Sequence, residues 1–117
     1  MREDKITQIQ NLKTKMQNDK VKFKKEFKER VYRFILKLIK FIDNLPKDSS
    51  SRIIGDQLLR SGTSIGANYI ESKAASSKRD FVNFFNHSLK SANESRFWLA
   101  LLRDVILIFD LCILNFV

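Results

Sequence analysis

The chain has 117 residues, 44% of them hydrophobic and 30% charged, with one proline, three glycines and one cysteine. That length supports one domain with a core of its own, and the composition excludes a disordered chain, a disulfide scaffold and a fold rich in β-turns. The net charge of +9 is unevenly spread, since residues 1–30 hold ten Lys/Arg against five Asp/Glu while residues 91–117 hold two against three. A basic first half and an apolar end favour a polyanionic partner, nucleic acid or an acidic protein.

The first predicted element is a helix over about residues 5–45. Phe27, Val31, Phe34, Leu38, Phe41 and Leu45 follow one another at spacings of four and three, and Ile35, Ile39 and Ile42 form a second row beside them. Two adjacent seams make a wide apolar stripe, as in a helix with more than one neighbour. Upstream, Ile9, Leu12, Met16 and Phe23 keep the helical period. Pro46 ends the element, and the polar run from Asp48 to Ser51 supplies caps for the next.

A second helix is expected over about 50–74, with Ile54, Leu58, Ile65 and Tyr69 on one side. Gly62 and Gly66 lie inside it, four apart. A glycine within a helix costs about 0.5–1 kcal/mol relative to alanine, so the pair implies close approach of a neighbour. The expected neighbours are the many phenylalanines.

Ser77-Lys78-Arg79-Asp80 has the form of a capping box, which sets the start of a third helix over about 78–115. Its seam runs Phe81, Phe85, Ser88, Ala92, Ser95, Leu99, Leu102, Ile106, Phe109, Ile113 and Phe116, with small residues in the middle that again signal tight packing. The reading is a single all-α domain, residues 1–117, folded as an up-and-down antiparallel helical bundle of three long helices. Between Val105 and Val117 polar side chains are scarce, so a helix there is apolar all round and predicts a chain that does not persist as a monomer.

Catalysis has little support. His87 is the only histidine, and no metal-ligand spacing, phosphate-cradling glycine loop or nucleophile motif is present. No cofactor or metal is expected. Cys112, among Leu111, Ile113 and Leu114, reads as a small hydrophobe. Charges interrupt the apolar C-terminal run before it reaches the ~20 residues a membrane span needs, and the charged start is unlike a signal peptide, so a cytoplasmic protein is expected. The functional lead is a basic face of the first helix, where Lys22, Arg33, Lys37 and Lys40 fall together on the helical wheel, away from the phenylalanine stripe. Clustered cations of this kind suit a nucleic-acid backbone, because they displace its condensed counterions. The alternative is a structural or interaction module whose positive face meets an acidic protein.

The stretch from Gln57 to Leu99 adds a family resemblance. Arg60, Ser61, Ser64, Asn68 and Glu71, followed by Ser77, Lys78, Asp80 and Phe81, form a pattern that resembles the 23S rRNA intervening-sequence proteins, four-helix-bundle relatives of the accessory protein of diversity-generating retroelements. The resemblance covers roughly residues 24–104. It implies a helical bundle without a catalytic site, assembling as a ring-like homo-oligomer, a pentamer in studied relatives. It also implies partners of the kind the retroelement relatives bind, nucleic acid and a reverse transcriptase. Members of the family turn after the segment matching Leu101 to Asp104 and add a fourth amphipathic helix. Here the chain runs on through Val105-Ile106-Leu107-Ile108, so that fourth helix is missing or shortened, or the third is extended. Asn68 and Glu71 are expected to hydrogen-bond across helices, Glu71 with Arg60 or another basic residue.

Overall fold

A computed structural model describes the backbone of residues 2–116 and the side chains of residues 4–108, 110 and 111. Three helices make up the described chain, α1 (Arg2–Asp43), α2 (Ser49–Lys73) and α3 (Lys78–Phe116). Contacts group the residues into two units, 1–33 and 34–117, where the sequence reading has one domain.

The second unit contains the end of α1 with all of α2 and α3. The C-terminus of α1 is closed by Asn44, whose amide and side chain both donate to the Lys40 carbonyl, at 3.3 and 2.8 Å. Leu45 therefore lies beyond the helix rather than ending it, and Pro46 prevents any continuation. Asp48 caps α2 in an extended conformation, its carboxylate accepting from the Ser51 amide at 3.1 Å. Ser51 donates to Asp48 through its side chain as well as its amide, and these bonds hold the carboxyl below the ordinary aspartate value. Ser77 caps α3 by accepting from the Asp80 amide at 3.1 Å, while the Asp80 carboxylate takes the Ser76 hydroxyl at 2.9 Å. Both turns thus form where polar caps follow or replace apolar periodicity.

The core of this unit is Leu38, Leu45, Leu58 and Leu102, with Ile42, Ile54, Trp98, Leu99 and Ile106 packed against it. Leu58 and Leu102 are wholly buried, and each contributes about 1.5–3 kcal/mol of burial energy. Of the expected pair, Gly62 is closely approached, by an aliphatic side chain, and the second close approach is at Gly55 rather than at Gly66. A Cβ on Gly62 would overlap Leu38, and one on Gly55 would stand 3.2 Å from Leu45. Five of the phenylalanines expected on this flat side of α2 face outward instead. Phe34, Phe41, Phe81, Phe85 and Phe97 are all exposed. The covered strip at the end of α1 is Leu38 with Ile42 half-buried, continued by Leu45 just beyond the helix, so the two seams share one strip, and Phe34, Ile39 and Phe41 are left on the outside.

Antiparallel packing of α2 and α3 runs through serines. The Ser95 hydroxyl lies 2.9 Å from that of Ser61, and Ser88 donates to the Ile65 carbonyl at 2.8 Å. Ser61, Ser72, Ser88 and Ser95 are buried, and every buried side-chain polar atom among the described residues has a partner. Small hydroxyls allow the backbones to approach and remove the ~1–3 kcal/mol penalty of an unpaired buried group. At its far end α3 continues without a turn after Asp104, so the third helix is extended. Leu107, Ile108 and Leu111 are exposed there, whereas the side chains of Phe109, Cys112, Ile113 and Phe116, and Val117, lie outside the described residues.

The first unit is the helical stretch up to Arg33. Ile9, Leu12, Met16 and Phe23 are each more than half exposed within it. Phe23 and Phe27 stack with ring centres 6.1 Å apart.

Candidate functional site

The basic residues of α1 from Lys5 onward are all exposed. In the first unit Lys22 stands 3.9 Å from Glu26 and Arg33 stands 3.9 Å from Glu29, both one helical turn apart and open to solvent. Pairs so loose and exposed are worth little, so both cations stay available to a stronger anion. In the second unit Lys37 and Lys40 make no ion pair among the described residues. What these side chains can do chemically is present uncompensated positive charge.

The motif residues behave differently. Arg60, Ser64, Asn68 and Glu71 follow one strip of α2. Ser64 donates to the Arg60 carbonyl at 2.7 Å, and Asn68 donates to the Ser64 carbonyl at 2.9 Å. Asn68 is thus engaged within its own helix, and among the described residues it makes no bond to another helix. Glu71 is exposed, and Arg60 is engaged elsewhere, by Gln57 on its own helix and by Glu94 on α3. Glu94 also accepts from the Trp98 indole at 3.2 Å. The Trp98 bond first, and the Arg60 bond second, hold the Glu94 carboxyl below its ordinary value. This Arg60–Glu94–Trp98 bridge ties α2 to α3, and a glutamate four residues before the only tryptophan was its signal in the sequence. Ser61 is buried at the helix contact, and Ser77, Lys78 and Asp80 form the start of α3. Phe81 is exposed and stacks on Phe85 with ring centres 6.1 Å apart.

Other chemistry finds little footing. His87 is exposed, and no cluster of three or more His, Cys, Asp or Glu able to hold a metal occurs among the described residues. A cleft of about 200 Å³ opens where α1 meets α2, floored by Ile42, Leu45 and Pro46 and bearing Lys47, Arg52 and Asp56. It falls below the ~300–1,000 Å³ of small-molecule sites. No helix among the described residues is long and apolar enough to cross a membrane.

Helices locked by glycine, serine and a buried leucine core, with exposed positive charge on α1, define a small helical-bundle protein. The chain belongs to the 23S rRNA-intervening sequence protein family, whose pattern matches residues 24–110. It is similar to a crystal structure of a protein of unknown function from the S23 ribosomal protein family of Bacteroides thetaiotaomicron. The two share 38% identity over 67% of this chain and 72% of that one, with a TM-score of 0.62. No curated protein matches. The family match starts at residue 24 and leaves the first 23 residues outside it.

Proposed function

We propose that the chain is a non-enzymatic, oligomeric bundle protein that binds the backbone of RNA or DNA through basic side chains of α1, Lys22, Arg33, Lys37 and Lys40. The observation that carries this reading is that all four are exposed and that none is held by more than a 3.9 Å surface pair. Side chains of this type neutralise phosphates and release counterions, giving affinity without sequence readout. Changing the four residues together to glutamine weakens binding to duplexes of unrelated sequence. It also flattens the salt dependence by roughly one unit of slope for each phosphate that is no longer neutralised. The fold survives, because these side chains lie outside the core. A folded variant with unchanged affinity and slope places the site elsewhere, and a wild-type chain that ignores RNA and DNA at low salt removes the reading altogether.

Assembly with copies of itself is supported by the exposed Phe34, Phe41, Phe81, Phe85 and Phe97 of the second unit and by Leu107, Ile108 and Leu111 of α3. Soluble monomers rarely carry so much apolar surface. Light scattering from the full chain returns a mass above that of one copy; a stable monomer contradicts it.

A further inference from the structure

The first unit carries an apolar seam that phosphate binding does not use, although Lys22 at its border belongs to both surfaces. Counted in heptads from Ile9, the positions facing a partner in a coiled coil are Ile9, Leu12, Met16 and Phe23, with Asp19 in line between the last two. These four apolar side chains are 52%, 60%, 60% and 66% exposed. The seam is narrow, the width of a two-helix contact rather than of a helix lying against a broad core.

The lysines of the same stretch are placed with respect to that seam. Lys13 and Lys20 flank it on one side and Lys15 and Lys22 on the other, which are the positions that choose partners in coiled coils. The back of the helix is uncharged from Thr7 to Asn18, where Gln10, Asn11, Thr14 and Gln17 stand. Lys13, Lys15 and Lys20 make no ion pair among the described residues. Positive charge is therefore concentrated along both borders of an exposed apolar strip.

That pattern discriminates among occupants. A second copy in parallel would set Lys15 against Lys20 of its mate, a like-charge arrangement that costs stability. A nucleic acid would meet the lysines but leave Ile9, Leu12 and Met16 in water. A lipid surface would have to take Asp19 into hydrocarbon with the rest of the seam. An amphipathic helix with apolar seam residues and glutamates beside them satisfies both the strip and its borders, and a polar group on it can meet Asp19 and fix the register.

We infer that residues 6–23 are a docking helix for an acidic amphipathic helix of another protein, which pairs with the Ile9–Leu12–Met16–Phe23 seam as a short heteromeric coiled coil bordered by Lys13, Lys15, Lys20 and Lys22.

The test uses the full chain and two fluorescent synthetic peptides of equal length, leucine and isoleucine at the seam positions, one with glutamate and one with lysine at the bordering positions. The glutamate peptide binds, and the lysine peptide binds at least about tenfold more weakly. The quadruple variant K13E/K15E/K20E/K22E reverses that preference, and Leu12→Asn with Met16→Asn abolishes binding of both. RNA affinity measured on the Leu12→Asn with Met16→Asn variant separates failure here from failure of the nucleic-acid reading, because that pair is not part of the phosphate site, whereas the charge-reversed variant also removes Lys22 from it. Equal binding of the two peptides overturns the inference, as does binding that survives the seam variant. Partition onto phosphatidylglycerol vesicles without peptide binding, or sedimentation showing self-association that the seam variant removes, assigns the strip to a lipid surface or a second copy and likewise overturns it.

Discussion

Residues 1–33 and residues 34–117 are written in the same helical period and meet opposite fates. In the second unit the period is covered, with Leu38 against Gly62, Leu45 against Gly55, and Ser95 against Ser61. In the first, Ile9, Leu12, Met16 and Phe23 repeat as regularly and stay in solvent. The difference lies in the small residues. Glycine and serine on α2 and α3 let helices approach and so mark faces that are covered within the chain, whereas long side chains, lysine and glutamine, border the N-terminal seam, which is exposed. Periodicity identifies a face; the size and charge of its borders identify what covers it.

The contrast breaks most sharply at Gly62. Leu38 is buried where a Cβ would fall, so Gly62→Leu forces the core open and destabilises by about 3 kcal/mol, the upper part of the overpacking range. Chemical denaturation measures it, and an unchanged midpoint means that Leu38 has room to move aside.

A smaller effect sharpens the electrostatic side of the bundle. Because bonds from Trp98 and Arg60 lower the Glu94 carboxyl in the folded chain, its contribution is fully present above the ordinary glutamate value of 4.5 and is lost as pH falls from there through the lower folded value. Trp98 fluorescence during acid titration should follow this loss, and Glu94→Gln should remove that part of the pH dependence. A wild-type stability that rises on acidification through this range contradicts the bridge.

The smallest effect belongs to the first unit. Leu12→Asn changes the melting temperature of the bundle hardly at all, within the ~0.5 kcal/mol of ordinary surface substitutions. A destabilisation as large as that of a core substitution would show that the seam is covered inside the free chain.

Much of this was legible in the sequence. Pro46, the cap at Asp48 and the Ser77 to Asp80 box set the turns, and the glycines and serines announced close helix packing. The phenylalanines misled, because ring size suggests a core and cannot show on which side of a helix a partner lies. Asn68 and Glu71 misled for a related reason, since a helix offers its own carbonyl four residues back, and Ser64 provides it to Asn68. The spacing of Glu94 and Trp98 was present in the sequence as a contact within α3, but only the packing of α2 on α3 brought Arg60 to that glutamate. The charges of α1 were legible as a pattern on one helix and needed no tertiary structure to be read.

In the function proposed, α1 receives the polyanion while α2 and α3 form the scaffold. Amide hydrogen exchange on the full chain, with and without an RNA duplex at low salt, tests it most directly. Slow exchange is expected around Leu58, Ser61, Ser95 and Leu102 in both conditions, with new protection on α1 across Lys22, Arg33, Lys37 and Lys40 when the duplex is present. Protection that appears on α2 or α3 while α1 stays unchanged would contradict it.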